Sequence, residues 1–135
     1  MPTLKTGTIE NFVRADDLDV IRTVSNVPTG QTLTDAWLTV DPLAGGSHLF
    51  QKHITPTLVS GQGQIEDTGA GDGIGIVRFE LTSGASGDTT KLNADTQYPY
   101  DIQVKTSTGK IYTPETGEPP HGGITSTEQV TTETS

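Results

Sequence analysis

The clearest alternation of apolar and polar positions lies between Leu92 and Gly117 and predicts a β-hairpin. Because side chains of a strand point to opposite faces with period two, one face of the first strand is apolar and the other is polar. The apolar positions of that strand are Tyr98, Tyr100, Ile102 and Val104. The segment 106–109 then predicts the turn, and we expect the return strand to begin with Lys110–Thr113 and to end within Pro114–Gly117.

Five further segments have the short, β-rich pattern of strands, and they cover residues 18–24, 33–40, 48–55, 64–67 and 74–82. Residues 48–55 have an ambiguous period that also fits a short helix, and we favour a strand. In the last segment the apolar alternation changes phase, which predicts a β-bulge at Ile76–Val77. Many short strands separated by turns indicate an all-β sandwich.

The chain ends differ from this central pattern. We expect residues 1–13 to form an extended N-terminal arm, residues 14–123 to form the sandwich, and residues 124–135 to form a C-terminal strand and tail. Each arm carries too few apolar residues to build a core alone, but enough to lie on a neighbouring protein. The candidate interface residues of the arms are therefore Leu4, Ile9, Phe12, Ile124 and Val130.

Two tyrosines, Tyr98 and Tyr100, are candidates for one structural role. The spacing Leu92-x-Ala94-x-Thr96-x-Tyr98 is similar to the spacing before the tyrosine corner of fibronectin-type sandwiches. In that arrangement the ring is buried and its hydroxyl bonds to the preceding backbone. We predict this role for Tyr98, and Tyr100 is the alternative corner residue.

Trp37, the only tryptophan, alternates with Ala36 and Leu38 within a predicted strand. If these two residues face the core, Trp37 faces outward and is a candidate interface residue, because tryptophan is enriched at binding hot spots. If the register is inverted, Trp37 is instead a core residue. The sequence leaves both orientations open.

The composition of the chain disfavours or excludes several classes of function. The chain has 135 residues, a net charge of −9, eight scattered Lys and Arg residues and no cysteine. Binding to nucleic acid is disfavoured because it needs a basic patch, and disulfides and thiolate metal sites are excluded. There is no apolar run of about 20 residues that would span a membrane, and no signal-peptide pattern at the N-terminus. We therefore expect synthesis in a cytoplasm.

The sequence contains few residues in patterns typical of catalytic or metal-binding sites. His48 and His53 are five residues apart, an odd spacing that points their side chains to opposite faces of one strand, and His121 lies far along the chain. The acids of residues 16–19 lack the glycine and distal glutamate of a calcium loop. The segment Gly69–Gly75 is expected to be a turn, since no Gly-Lys-Ser/Thr follows it. We predict no catalytic residue, metal site or cofactor, and a protein that is not an enzyme.

Two segments resemble a family of small immunoglobulin-like domains found in tailed-bacteriophage virions. They are Gly75–Thr82, which fits G-x-x-x-F-x-L-T, and Tyr98–Gly117, which fits Y-x-Y-D-I-Q-V, a turn and T-x-x-x-G. Arg14-Ala15-Asp16 stands where such domains often have an R-G-D-like start, with alanine replacing glycine. The Ile124–Thr125 pair is similar to the closing strand of these domains.

This resemblance implies an immunoglobulin-like antiparallel β-sandwich of about seven to eight strands and a structural role. Related domains begin baseplate upper proteins and also occur as free-standing virion proteins. A chain that is nearly all domain with two arms is more similar to a capsid decoration, or cement, protein that binds the major capsid protein as a homo-oligomer, with a trimer favoured. The alternative is a baseplate or tail adaptor.

Two other functions remain open on the residues alone. A carbohydrate-binding sandwich is disfavoured because few aromatic residues are expected on the surface, and a metal-dependent enzyme is disfavoured because the sequence offers no clear ligand set.

Overall fold

The computed structural model describes residues 5–10 and 12–127. In this part of the chain there are ten strands and one short 3-10 helix, Thr89–Lys91. Seven strands have five to eight residues, and they are β3 (Leu18–Val24), β4 (Leu33–Val40), β5 (Phe50–Ile54), β6 (Gly63–Thr68), β7 (Gly75–Leu81), β8 (Tyr100–Thr106) and β9 (Ile111–Gly117). The other three have two residues each, and they are β1 (Lys5–Thr6), β2 (Thr8–Ile9) and β10 (Gly123–Ile124).

The strands form two main sheets that pack face to face as a β-sandwich. One sheet has five strands in the order β1-β9-β8-β4-β5, and the other has three in the order β3-β7-β6. The neighbours β4-β8-β9 and β3-β7-β6 reproduce the two sheets of an immunoglobulin-like sandwich. The pair β10-β2 is a separate two-stranded, parallel ribbon. The predicted all-β sandwich is therefore confirmed.

Period-two burial explains why the sequence folds into these layers. In β8 every second residue is buried, from Tyr100 to Thr106, and β7 alternates in the same way from Gly75 to Leu81. The buried faces of both sheets form one core that includes Leu38, Phe79 and Ile102. The segment of ambiguous period forms β5, a strand.

Two bulges interrupt the pairing of the strands. The return strand of the hairpin ends at Gly117, within the expected segment, and a register shift between Ile102 and Val104 places Pro114 in a bulge. A bulge tolerates the missing N–H of proline. The bulge expected at Ile76–Val77 lies instead in the neighbouring strand β6, where Glu66 is the extra residue, and β7 pairs regularly with β3.

The described parts of the two arms belong to the sandwich. Lys5 and Thr6 pair with β9, and Ile9 pairs with Ile124 of β10. Ile9 and Phe12 are 5% and 7% exposed, and Ile124 is fully buried. These residues therefore complete the core of their own chain, and the expectation that they lie on a neighbouring protein is wrong.

A buried ion pair joins the two sheets. The Arg22 side chain of β3 lies on the inner face and donates from Nε to the Glu115 carboxylate of β9 at 2.9 and 3.1 Å. Glu115 is 2% exposed, and its carboxylate also accepts the Tyr100 hydroxyl of β8. Arg22 donates a further bond to the Thr8 carbonyl of β2 at 2.9 Å. One arginine therefore connects three sheets.

A second buried ion pair lies at the opposite side of the core. Lys52 of β5 contacts the Asp88 carboxylate, and their side chains are 6% and 9% exposed. Asp88 also accepts bonds from the N–H and hydroxyl of Thr82 at 2.9 and 3.0 Å, and Lys52 donates to the Gly61 carbonyl at 2.7 Å. These bonds compensate for the cost of burying both charges.

We predict that Glu115→Ala lowers the free energy of unfolding by about 2–3 kcal/mol, because the partly buried Arg22 guanidinium and the buried Tyr100 hydroxyl both lose their acceptor. Urea denaturation measures the change. Glu66→Ala is the matched control, because it removes an ion pair to Arg78 in which Glu66 is 41% exposed, and its cost should stay below about 1 kcal/mol. Equal costs for the two variants would contradict the inferred role of the buried pair.

Candidate interaction surface

The outer face of the five-stranded sheet carries the only tryptophan. Trp37 of β4 pairs directly with Gln103 of β8 on one side and with His53 of β5 on the other. The three side chains therefore form one row across the sheet. Ala36 and Leu38 are fully buried on the inner face, so Trp37 points outward and is half-buried by its neighbours. The outward orientation is confirmed, and the inverted register is wrong.

Trp37 and His53 form a flat aromatic pair. Their ring centroids are 5.0 Å apart and their planes differ by 7°, which is a stacked arrangement. His53 Nε2 lies 2.8 Å from the Asp35 carboxylate, which belongs to the same face. Each ring is therefore held in one orientation, and the pair presents a rigid surface rather than two mobile side chains.

The Asp35 carboxylate is stabilised in its ionised form. Partial burial acts to raise its pKa, but the hydrogen bonds from His53 and Thr34 and the nearby charges of His53 and Lys105 together hold the pKa below its usual value. The interaction with His53 thus favours a charged Asp35 at neutral pH.

The two ends of the same face carry opposite charges. In β8, Asp101 and Lys105 point outward on either side of Gln103, and all three are partly exposed. Desolvation, together with the nearby Asp41 carboxylate, raises the pKa of Asp101. We call the surface formed by Asp35, Trp37, His53, Asp101, Gln103 and Lys105 the Trp37 face.

Tyr98 has the geometry expected of a tyrosine corner. Its side chain is 6% exposed, and its hydroxyl accepts a hydrogen bond from the Asn93 N–H at 3.0 Å. The bonded backbone lies five residues upstream, at the chain reversal before β8. Tyr100, the alternative, donates its hydroxyl to Glu115 instead.

Of the six residues proposed for an interface, Trp37 is the one found at the surface of the described part of the chain. Ile9, Phe12 and Ile124 are core residues, as described above. Leu4 and Val130 lie outside the described residues. His53 was missed as its neighbour, because only the strand register brings residues 37 and 53 together.

The buried ion pairs were missed as well, although the sequence contained one signal. Arg22 is in phase with Val20 and Val24 along β3, which places an arginine on an apolar face. Such a residue needs a buried acid as partner. Nothing in the local pattern around Pro114 and Glu115 indicates that this acid comes from β9.

The other candidate groups are separate from one another. His48 pairs with Asp41, and His121 is exposed in the turn before β10. Within residues 5–10 and 12–127, there is no cluster of three or more His, Asp or Glu side chains arranged to hold a metal ion. The Gly69–Gly73 segment forms a turn beside the 26–32 loop, where the Val27 N–H donates to the Gly73 carbonyl at 2.9 Å.

Comparisons with known proteins add no assignment. Neither a protein-family model nor a curated protein sequence matches this chain. A search of the described residues finds no helix of the length and apolarity needed to cross a membrane.

We predict that Tyr98→Phe lowers the free energy of unfolding by about 1 kcal/mol, because the Asn93 N–H loses its hydrogen bond to the Tyr98 hydroxyl. Tyr112→Phe is the control, since the Tyr112 hydroxyl makes no hydrogen bond within the described part of the chain. Chemical denaturation of both variants measures the difference. A Tyr98→Phe variant as stable as the control would exclude a stabilising corner.

We also predict that His53→Ala raises the pKa of Asp35, because the main group that lowers it is removed. In the wild type, the stabilisation from this pair is present above the unfolded-state pKa of aspartate, about 3.9. It disappears as the pH falls through the lower folded-state pKa. Carboxylate NMR titration checks the shift, with Asp19 as an internal control on the opposite sheet. An unchanged Asp35 titration would show that His53 does not set its ionisation.

Proposed function

We propose that this chain is a non-enzymatic structural protein of a tailed-phage virion. In this proposal it is made in the host cytoplasm and decorates the outer surface of the capsid shell, where it binds the major capsid protein and stabilises the shell. The observation that carries the proposal is the Tyr98–Gly117 hairpin, whose residues resemble the phage virion domains and which forms β8 and β9 in the middle of an immunoglobulin-like sandwich.

The backbone at Ala15 supports the same resemblance. Ala15 stands where the related domains have glycine, and its φ of 71° lies in the left-handed region that glycine adopts most easily. The neighbouring Arg14 donates to the Leu92 and Thr90 carbonyls at 2.8 and 2.7 Å. The Arg-Ala-Asp segment thus has the tight turn that an Arg-Gly-Asp start would form, despite the substitution.

The surface fits a binding role better than a catalytic one. The most distinctive exposed group is a stacked Trp37–His53 pair on a flat sheet face, and a rigid aromatic of this kind suits protein recognition. A decoration protein is present in many copies, so a weak contact per copy becomes firm through multivalency.

A baseplate or tail adaptor is the second candidate, because the same hairpin pattern begins baseplate upper proteins. The two functions differ in stoichiometry, since a capsid shell offers many equivalent positions and a baseplate offers few.

Quantitative mass spectrometry of purified particles tests the proposal. We expect this chain at a copy number comparable with that of the major capsid protein, and we expect particles that lack it to lose DNA at a lower temperature. A copy number comparable with that of baseplate proteins would favour the adaptor. Absence of the chain from particles would contradict both functions.

A further inference from the structure

We infer that the Trp37 face is a self-association surface, on which a second copy of this chain docks face to face about a two-fold axis. The inference rests on the arrangement of side chains on the five-stranded sheet. It does not depend on where the chain sits in a particle, and it specifies a contact that the proposed function leaves open.

The row of Gln103, Trp37 and His53 defines the axis. These residues are direct cross-strand neighbours, so the row runs perpendicular to the strands across the middle of the face. A two-fold axis along this row places β8 over its symmetry mate, with the two strands antiparallel. Trp37 then meets Trp37 of the second copy at the centre of the contact.

The charges on β8 are complementary under this rotation. Asp101 lies two residues before Gln103, and Lys105 lies two residues after it, on the same outer face. Reversing the strand about Gln103 therefore places Lys105 of each copy over Asp101 of the other. A two-fold contact forms this pair twice, which is the self-complementarity that isologous interfaces require.

Asp101 lacks such a partner in the single chain. No hydrogen bond or ion pair from residues 5–10 or 12–127 reaches its carboxylate. Two carboxylates, Asp41 and Glu118, act to raise its pKa, and His48 alone acts to lower it. A lysine from a second copy would neutralise the most poorly compensated charge of this face.

The centre of the face is suited to supply most of the binding energy. Tryptophan is one of the residue types enriched at hot spots, which cluster near the centre of an interface. Stacking on His53, which is itself fixed by Asp35, orders the Trp37 ring before binding. The loss of side-chain entropy on association is therefore reduced.

The area of the Trp37 face determines how strongly we expect two copies to bind. The four longer strands of this sheet, spaced by about 4.8 Å and about seven residues long, give a surface of roughly 450 Å², and β1 adds only two residues. This is smaller than the roughly 800 Å² per partner of a standard interface. We expect a weak dimer with a dissociation constant on the order of 10 µM.

The geometry favours a dimer over the trimer that the phage resemblance implies. A flat sheet face can be covered by only one other flat face. Two copies therefore use up the whole contact surface, and the assembly is a dimer. A trimer would need a heterologous contact between two different surfaces.

Sedimentation velocity of the full chain over a range of concentrations tests the stoichiometry. We expect a monomer–dimer equilibrium, as a two-fold contact that closes at two copies requires. A trimer, or a monomer at every concentration up to about 1 mM, would overturn the inference.

Charge reversal tests the register. Asp101→Lys alone and Lys105→Asp alone each place like charges opposite one another twice, and each should weaken dimerisation about tenfold or more. Mixing these two variants should restore a heterodimer, because each contact then pairs one lysine with one aspartate. If the mixture associates no better than either variant alone, the proposed register is wrong.

Two further variants separate docking from folding. Trp37→Ala should abolish the dimer, whereas Ile21→Ala should not, although Ile21 is 54% exposed on the other sheet. Thermal unfolding of every variant shows whether the monomer is intact. Loss of the dimer in Ile21→Ala, or its retention in a folded Trp37→Ala, would place the contact elsewhere.

Discussion

The ion pair between Arg22 and Glu115 is the interaction on which the arrangement of the layers depends. Arg22 belongs to the three-stranded sheet and Glu115 to the five-stranded sheet, and the carboxylate also accepts the Tyr100 hydroxyl. A buried carboxylate is tolerated only when it is paired and hydrogen-bonded. The pair therefore requires both sheets, and Gly7 provides the space, because a side chain there would collide with Glu115 and Tyr100.

Polar groups thus have different roles on the two sides of the five-stranded sheet. Inside, Glu115 and Lys52 are fully engaged by partners of the same chain, so they fix the packing and have no capacity left for a ligand. Outside, Trp37 and His53 are stacked on one another, and Trp37 is half-buried whereas His53 is exposed. The outer face therefore offers the ordered, partly exposed surface on which the proposed role in assembly depends.

Local patterns predicted the elements well where one strand face is apolar. The bounds of β3 and β4 match the predicted segments 18–24 and 33–40, and Tyr98 bonds to the backbone of Asn93 as its spacing indicates. The irregularities were harder to place. The phase change around Ile76 reflects a bulge at Glu66 in the paired strand, because a bulge is a property of two strands and the sequence of one strand cannot assign it.

The sequence by itself determined the class of fold and the apolar face of most strands, because side-chain period is a local property of the backbone. It also excluded disulfides and thiolate metal sites, because the chain has no cysteine. The tertiary structure decided the features that depend on strand pairing and on burial in the core. It placed Ile9, Phe12 and Ile124 in the core, brought Arg22 to Glu115 across 93 residues, and set Trp37 outward against His53. These outcomes depend on strand register and sheet packing, which link residues that are distant in the chain.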